Sequence, residues 1–200
     1  MSTERIQNID HHKEIEYNGR KFRSNLEVET AKTLDAMGLP FQYEERKIEL
    51  LEGFRSPFQK EKVRSITYTP DFIIGPLMIE CKGFETPEWK LKKKLVFKWL
   101  QENEPDTIFY MVKNTKQLLQ ALDPHWSFLG YCIKVTPKPK GKKATVPKGF
   151  SLGYKLYDSL NQAFDDLNLT NKSITPIIRS LTGKTEFVYN YNWQLQKVKL

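Results

Sequence analysis

The clearest pattern of apolar and polar positions lies near the middle of the chain, between Thr67 and Gly83. Two apolar runs, Phe72-Ile73-Ile74 and Leu77-Met78-Ile79, are separated there by Gly75-Pro76. A Gly-Pro pair interrupts strands and favours a turn. The pattern therefore predicts a β-hairpin made of two short apolar strands.

Three charged side chains fall at the same end of this predicted hairpin. Asp71 opens the first run, whereas Glu80 and Lys82 close the second. Because successive side chains of a strand alternate between faces, Glu80 and Lys82 share one face and Cys81 occupies the other. Two carboxylates can bind Mg²⁺ or Mn²⁺, and such ions support phosphodiester hydrolysis. The alternative is an exposed strand end with an ordinary cross-strand ion pair.

Helical spacing of apolar residues is found in segments on both sides of the hairpin. It predicts helices over Ser24–Met37, Thr86–Gln101 and Lys116–Leu122. Gly38 provides a stop for the first helix, and Thr86-Pro87 provides an N-cap and a first helical residue for the second. The residues of the second helix predicted to face the core are Trp89, Leu95, Val96, Trp99 and Leu100.

Further strands are predicted over Phe41–Leu51, Thr107–Val112 and Trp126–Val135, the second of them as a central strand. A polar loop, Gly53–Arg64, follows the first of these strands. It is interpreted either as a solvated hairpin tip or as a DNA contact. The mixture of helices and strands predicts the α/β class.

Lysines repeat along one face of the second predicted helix. Lys90, Lys94 and Lys98 are spaced by four residues and form a basic ridge. A phosphate backbone nearby would explain this row of like charges, and a lysine-rich solvated face is the alternative. Residues 134–149 hold six lysines, three prolines and no acid, which predicts an extended basic linker. Its lysines expected to contact DNA are Lys138, Lys140, Lys142 and Lys143.

Residues 150–200 are typical of a second small module. Predicted helices over Ser159–Leu167 and Ser173–Leu181, with a break at Asn168–Asn171, follow the helix-turn-helix plan, and an aromatic strand over Phe187–Trp193 comes next. The module is similar to the DNA-binding repeats of phage intron-encoded homing endonucleases. In that interpretation the residues facing DNA are Thr170, Asn171, Lys172, Ser173, Thr175 and Arg179. A packing appendage or a dimerisation arm is the alternative.

Composition limits the class of protein. The net charge of +8 and the isoelectric point near 9.3 favour a polyanionic partner. Cys81 and Cys132 cannot form a disulfide framework, and no Cys/His cluster has the spacing of a zinc site. The sequence has no apolar run of membrane-spanning length and no signal peptide, so we expect a cytoplasmic protein that does not bind membranes, in the host cytoplasm if a phage encodes it.

The motif formed by Pro70-Asp71, eight further residues and Glu80-Cys81-Lys82 resembles that of the PD-(D/E)xK nuclease superfamily. Four blocks, in order, extend the resemblance to the phage endonuclease I family of junction-resolving enzymes, over about residues 20 to 120. The blocks are Phe22–Glu27, Phe41–Lys47, Thr67–Phe72 and Ile79–Gly83.

This resemblance implies a fold, a site and an assembly. The fold would be a PD-(D/E)xK core, a mixed β-sheet flanked by helices, with the small helix-turn-helix module at its C-terminal end. Asp71, Glu80 and Glu27 would bind Mg²⁺ or Mn²⁺, and Lys82 would position the hydroxide. The family implies a homodimer, domain-swapped through the N-terminal region, with Glu27 acting in its own subunit or in its partner. As an alternative, Glu27 only completes a capping box with Ser24.

The sequence thus predicts an endonuclease that nicks branched DNA in recombination, as Holliday-junction resolvases do. Its predicted parts are an N-terminal polar arm, a nuclease domain, the linker and the C-terminal module, over residues 1–20, 21–133, 134–149 and 150–200. Two other functions stay open. One is a homing-type endonuclease directed to a duplex sequence by the C-terminal module, and the other is a basic DNA-binding protein without catalysis.

Overall fold

The computed structural model describes residues 14–139, 150 and 154–198. The strands are β1 (Ile15–Tyr17), β2 (Arg20–Phe22), β3 (Gln42–Tyr43), β4 (Ile48–Leu51), β5 (Phe54–Arg55), β6 (Lys62–Val63), β7 (Ile66–Tyr68), β8 (Phe72–Ile74), β9 (Leu77–Cys81), β10 (Ile108–Val112), β11 (Tyr131–Pro137), β12 (Lys155–Tyr157) and β13 (Tyr191–Lys197). The helices are α1 (Asn25–Met37), α2 (Pro87–Asn103), α3 (Thr115–Leu122), α4 (Leu160–Asp166) and α5 (Thr175–Leu181), with a 3₁₀ turn at Asp123–His125.

The central element is a mixed four-stranded sheet in the order β10-β9-β8-β3. Strands β8 and β9 form the predicted antiparallel hairpin, and Gly75 at its turn has a φ of 56°. Strand β10 runs parallel to β9. The prediction of a central position for this strand is wrong, since within the described residues it lies at the edge of the sheet. The protein is therefore a mixed α/β structure, as predicted.

Each face of this sheet is covered by a different group of side chains. Leu77, Ile79 and Cys81 of β9 belong to a core that includes residues of α1 and α3. Met78, between them, belongs to a second core with Val96 and other residues of α2. This alternation explains why all five residues of β9 are buried.

Helix α1 begins and ends where the sequence predicts. The Ser24 hydroxyl accepts a hydrogen bond of 3.2 Å from the backbone amide of Glu27, which is the geometry of an N-cap. Gly38 follows the last helical residue with a φ of 69°, a left-handed conformation that glycine adopts without strain. Helix α2 likewise has Thr86 as its cap and Pro87 as its first residue.

The single strand predicted over Phe41–Leu51 is wrong. The segment forms β3 and β4, which belong to different sheets. Glu44 lies between them with a φ of 49°, a conformation that no strand can contain. In the following polar loop, β5 and β6 pair as a hairpin, and both interpretations of the loop stay predictions.

For the N-terminal arm, residues 1–20, the polar sequence predicts an irregular conformation. Residues 1–13 lie outside the described part of the chain. Residues 15–22 form the β1–β2 hairpin, with Asn18 and Gly19 both at positive φ in its two-residue turn. The prediction is thus wrong for the second part of the arm, which pairs with the segment ending at the buried Phe22.

Two predicted strands of the second half are displaced. The strand predicted over Trp126–Val135 is β11, which starts at Tyr131, and Trp126 is instead a buried core residue. The aromatic strand predicted over Phe187–Trp193 is β13, which starts at Tyr191 because Tyr189 and Asn190 have positive φ. Residues 134–137 of the predicted linker belong to β11, and residues 140–149 lie outside the described ranges.

The C-terminal segment is joined to the rest of the chain by a sheet. Strand β13 pairs antiparallel with β11 over seven residues, and β12 pairs with the other edge of β11. Buried side chains of α4 and α5 belong to the same core as the inner face of β9. Asp123 links the two parts directly, since its Oδ1 accepts hydrogen bonds from the Leu160 amide at 2.6 Å and from the Trp126 indole at 3.0 Å. Within the described ranges, no helix has the length and hydropathy needed to cross a membrane.

Candidate active site

The β8–β9 hairpin brings Asp71 and Glu80 to the same end of the sheet. Phe72 pairs with Ile79, so Asp71, which precedes Phe72, and Glu80, which follows Ile79, are neighbours across the hairpin. The Asp71 Oδ2 accepts a hydrogen bond of 2.7 Å from the backbone amide of Cys81. This bond holds the aspartate against β9, as the sequence pattern requires for a shared site.

Glu80 is a buried carboxylate, with only 5% of its surface exposed. Its Oε2 accepts a hydrogen bond of 2.9 Å from the hydroxyl of Tyr68. Tyr68 is itself buried and packs with Trp89 of α2, their ring centres 5.8 Å apart. The glutamate is therefore positioned by an aromatic pair that joins β7 to α2.

The two acids are difficult to ionise together. Burial raises the pKa of the Asp71 carboxyl well above its usual range, and the neighbouring Glu80 charge raises it further. Burial also raises the pKa of Glu80, while the Tyr68 hydroxyl and the charges of Lys82 and Lys92 act in the opposite direction. A cation placed between the carboxylates would relieve their repulsion, which is the electrostatic setting of a metal site.

Two lysines lie beside the acids. The Lys82 Nζ is 5.4 Å from the centre of the Trp89 ring, and the Lys92 Nζ is 6.0 Å from the centre of the Tyr68 ring. Lys113 lines the same cavity, and its position follows from the pairing of β9 with β10, where the Lys82 amide donates to the Val112 carbonyl at 3.0 Å. The site therefore combines two acids with cations from β9, α2 and β10.

Glu27 lines this cavity and also takes part in the N-terminal cap of α1. One carboxylate oxygen accepts a hydrogen bond of 2.8 Å from the Ser24 hydroxyl, and the other accepts from the Arg23 amide at 2.9 Å and the Tyr43 hydroxyl at 2.6 Å. The charge of Glu27 contributes to the raised pKa of Asp71. Glu27 therefore belongs to the cap at the start of α1 and also lines the cavity, while its part in the chemistry stays a prediction.

Glu44 adds a fourth carboxylate to the cavity wall. Its backbone amide donates to the Asp71 carbonyl at 3.1 Å, and its side chain forms an ion pair of 2.9 Å with Arg23. Burial raises the pKa of Glu44, and the Arg23 charge opposes that shift. Glu44, which separates β3 from β4 with its positive φ, therefore lines the same cavity as Asp71 and Glu80.

The cavity has a volume of about 870 Å³, and its lining includes Glu27, Glu44, Asp71 and Glu80. In the described residues, no three His, Cys, Asp or Glu side chains form a ligand set for a single ion. Mg²⁺ is commonly held by one or two carboxylates, while water and substrate phosphates complete its shell. Asp71 and Glu80 fit that mode, because each has one oxygen that accepts no hydrogen bond from the described residues.

The residues predicted to bind DNA lie on the surface. Lys90, Lys94 and Lys98 are exposed on α2, and Lys98 pairs with Glu102 at 3.6 Å. Lys138 is exposed, with its Nζ 5.5 Å from the Phe187 ring centre. Lys140, Lys142 and Lys143 lie outside the described residues. The residues of the C-terminal segment that are predicted to face DNA are all exposed: Thr170, Asn171, Lys172, Ser173, Thr175 and Arg179.

Sequence reasoning missed Lys92, although a signal was present. Lys92 follows Trp89 by three residues and precedes Val96 by four, so it lies on the helix face predicted to point inward. Lys113 and Tyr68 carried no comparable signal. Each reaches the site through a strand pairing or a packing contact between distant segments.

Comparison with protein families identifies a match to the phage endonuclease I family over residues 10–138, well over half of the chain. Neither the curated proteins nor the solved structures contain a match. The matched residues include every one of the acids and lysines that line the cavity, whereas the segment from β12 to β13 lies beyond them. The chain belongs to the phage endonuclease I family and is therefore an endonuclease.

Proposed function

We propose that the chain is a metal-dependent nuclease that hydrolyses phosphodiester bonds of branched DNA, as Holliday-junction resolvases do. The observation that carries this proposal is the pair of buried acids, Asp71 and Glu80, beside Lys82 in an open polar cavity. Hard divalent cations prefer such oxygen ligands, and a site of this kind can hold a phosphate against them. We further propose that residues of the nuclease domain form a PD-(D/E)xK core. In this proposal the C-terminal module of the chain binds DNA.

The protein residues have distinct parts in the reaction. A bound Mg²⁺ or Mn²⁺ would supply a hydroxide at neutral pH and offset charge on the phosphate. Asp71 and Glu80 would hold it, fixed by the Cys81 amide and the Tyr68 hydroxyl respectively. Lys82 orients the attacking water. Lys92 and Lys113 stabilise the charge that develops on the phosphate oxygens.

Glu27 is proposed as a third acid of the reaction. It faces the cavity from the first turn of α1, and Tyr43 fixes its carboxylate. Its charge also favours a cation near Asp71. Resolution of a four-way junction requires cuts in two strands, so we propose a homodimer with one site for each cut. Sedimentation of the full chain at micromolar concentration tests the dimer.

The test is cleavage of a four-way junction and of a linear duplex of equal length, with Mg²⁺ present. Asp71→Asn keeps an oxygen that accepts from the Cys81 amide but removes the charge, so we expect cleavage to fall by about 10² to 10³-fold with junction binding retained. Asp106→Asn is the matched control, because Asp106 is exposed and lines no part of the cavity. Undiminished metal-dependent cleavage by Asp71→Asn would rule out the proposed site.

The same assay separates the other functions. A homing-type enzyme would cut one duplex sequence in preference to the junction. A DNA-binding protein without catalysis would bind both substrates and cut neither in Mg²⁺ or Mn²⁺. Preference for the junction over every duplex offered is the outcome that the proposal requires.

A further inference from the structure

A second cavity, of about 400 Å³, lies between helices α1, α3 and α5. Three basic side chains line it: Lys32 from α1, Arg179 from α5 and Lys184 just after α5. Glu29 is the one acid among its lining residues. We call this cavity the α5 groove. Its excess of positive charge suits an anion.

The α5 groove also offers uncharged hydrogen-bond donors. Of the four threonines that line it, Thr33 and Thr182 already donate their hydroxyl protons to helix carbonyls, each at 2.7 Å, and so do not donate to a ligand. The hydroxyls of Thr115 and Thr175 make no hydrogen bond within the described residues, so both are available to a ligand. Hydroxyls and cations together are the groups that proteins use to contact phosphate oxygens.

The basic side chains of the groove form few ion pairs within the described residues. Lys32 pairs with Glu29 at 3.3 Å, and both side chains are about half exposed, so water screens that pair. Arg179 and Lys184 are exposed and form no ion pair within the described residues. Binding a phosphate would therefore require little loss of existing contacts.

The α5 groove lies next to the catalytic cavity along helix α1. Asn25, in the first turn, borders the catalytic cavity. Glu29 and Lys32, four and seven residues later on the same exposed face, border the groove about 6 to 10 Å further along the helix axis. Lys113 borders the catalytic cavity, and Thr115, two residues later, borders the groove. A DNA strand that leaves the catalytic cavity along this face of α1 would reach the groove.

We propose that the α5 groove binds the phosphate backbone of a DNA arm next to the bond that is cut. The proposal rests on the function proposed above, and it gives the segment beyond residue 138 a part in binding. This mode of binding differs from that of a helix-turn-helix, whose second helix enters the major groove and contacts base edges. Here Thr175 and Arg179 of α5 line the groove together with Lys32 of α1. Lys172 and Ser173, predicted for the same DNA-facing surface, line a different cavity with Lys116.

The test compares two double variants with the same change in charge. Arg179→Ala with Lys184→Ala removes two cations of the groove. Lys47→Ala with Lys197→Ala removes two exposed lysines that line neither this groove nor the catalytic cavity. Binding is measured without divalent metal, on a four-way junction and on linear duplexes of two unrelated sequences, over a series of salt concentrations.

For the groove variant we expect the slope of log affinity against log salt to fall by about 1.8, since each phosphate contact contributes about 0.9. We expect the affinity itself to fall about ten-fold or more at 0.1 M salt, equally for both duplex sequences. The control variant should show a clearly smaller change in slope and affinity.

Two outcomes would overturn the proposal. Equal losses in the two variants would mean that net charge alone acts, and a loss confined to one duplex sequence would mean that α5 reads bases. The comparison is independent of catalysis, because it is made without metal. If the wild type binds DNA but cuts no junction, the proposed function is wrong. The binding comparison of the two double variants still tests whether the α5 groove contacts DNA.

Discussion

The backbone amide of Cys81 donates a 2.7 Å hydrogen bond to the Oδ2 of Asp71. This bond ties the residue before β8 to the end of β9, and it keeps the aspartate close to Glu80 although the two charges repel. Burial and repulsion raise the pKa of both acids. Without a metal, the fold therefore disfavours the ionised forms of both carboxyls. Such unfavourable arrangements are common at functional sites, where residues are retained for activity and not for stability.

We expect the metal-free protein to lose stability as the pH rises from 5 to 8. A carboxyl whose pKa is higher in the folded than in the unfolded state binds more protons when folded, so stability falls as pH rises through that interval. Asp71→Asn removes one of these groups. The variant should be more stable than the wild type at pH 8, by on the order of 1 kcal/mol or more. This advantage should be smaller at pH 5 and should vanish only near pH 4, where Asp71 is protonated in the unfolded chain as well.

Urea unfolding in EDTA at the two pH values measures this difference. Asp106→Asn, at an exposed position, should follow the wild type at both. Addition of Mg²⁺ at pH 8 should stabilise the wild type and leave Asp71→Asn nearly unchanged. Equal pH dependence of the wild type and Asp71→Asn would contradict the raised pKa of Asp71.

The two roles of Glu27 can be separated by variants at Ser24 and Glu27. Ser24→Ala removes the cap but keeps the carboxylate, so we expect about 1 kcal/mol less stability with cleavage close to wild type. Glu27→Gln keeps the shape and removes the charge, so we expect cleavage to fall more than ten-fold. Unfolding and junction cleavage are measured on the same preparations. A Glu27→Gln variant that cuts as well as Ser24→Ala would leave Glu27 with the capping role alone.

Lys92 is expected to act on the ionisation of Glu80. Its charge lowers the pKa of Glu80, so Lys92→Met, which keeps the apolar stem, should raise that pKa. The low-pH limb of the cleavage profile should then move to higher pH, because the ionised glutamate is needed. Lys90→Met is the matched control on the exposed ridge of α2. Its profile should keep the wild-type midpoint, and an equal shift in both variants would argue against a specific effect of Lys92.

The parts of the fold that the sequence predicted correctly depend on neighbours in the chain. Ser24 and Gly38 bound α1 because a hydroxyl cap and a left-handed glycine act over a few residues. Gly75 turns the β8–β9 hairpin for the same reason. The wrong predictions concern positions where contacts with distant parts of the chain influence the backbone conformation. Glu44 has a positive φ and divides a predicted strand, and Tyr189 has a positive φ, so β13 starts later than predicted.

The sequence by itself determined that Asp71, Glu80 and Lys82 would meet, since a short hairpin and a two-residue period leave them no other arrangement. It also determined the spacing of lysines along α2. Only the tertiary structure decided that Lys92 and Lys113 join the acids, that β13 pairs with β11, and that Arg179 and Lys32 line one groove. Those relationships arise from the packing of segments far apart in the chain, and the local pattern of residues carries no record of which distant surfaces come into contact.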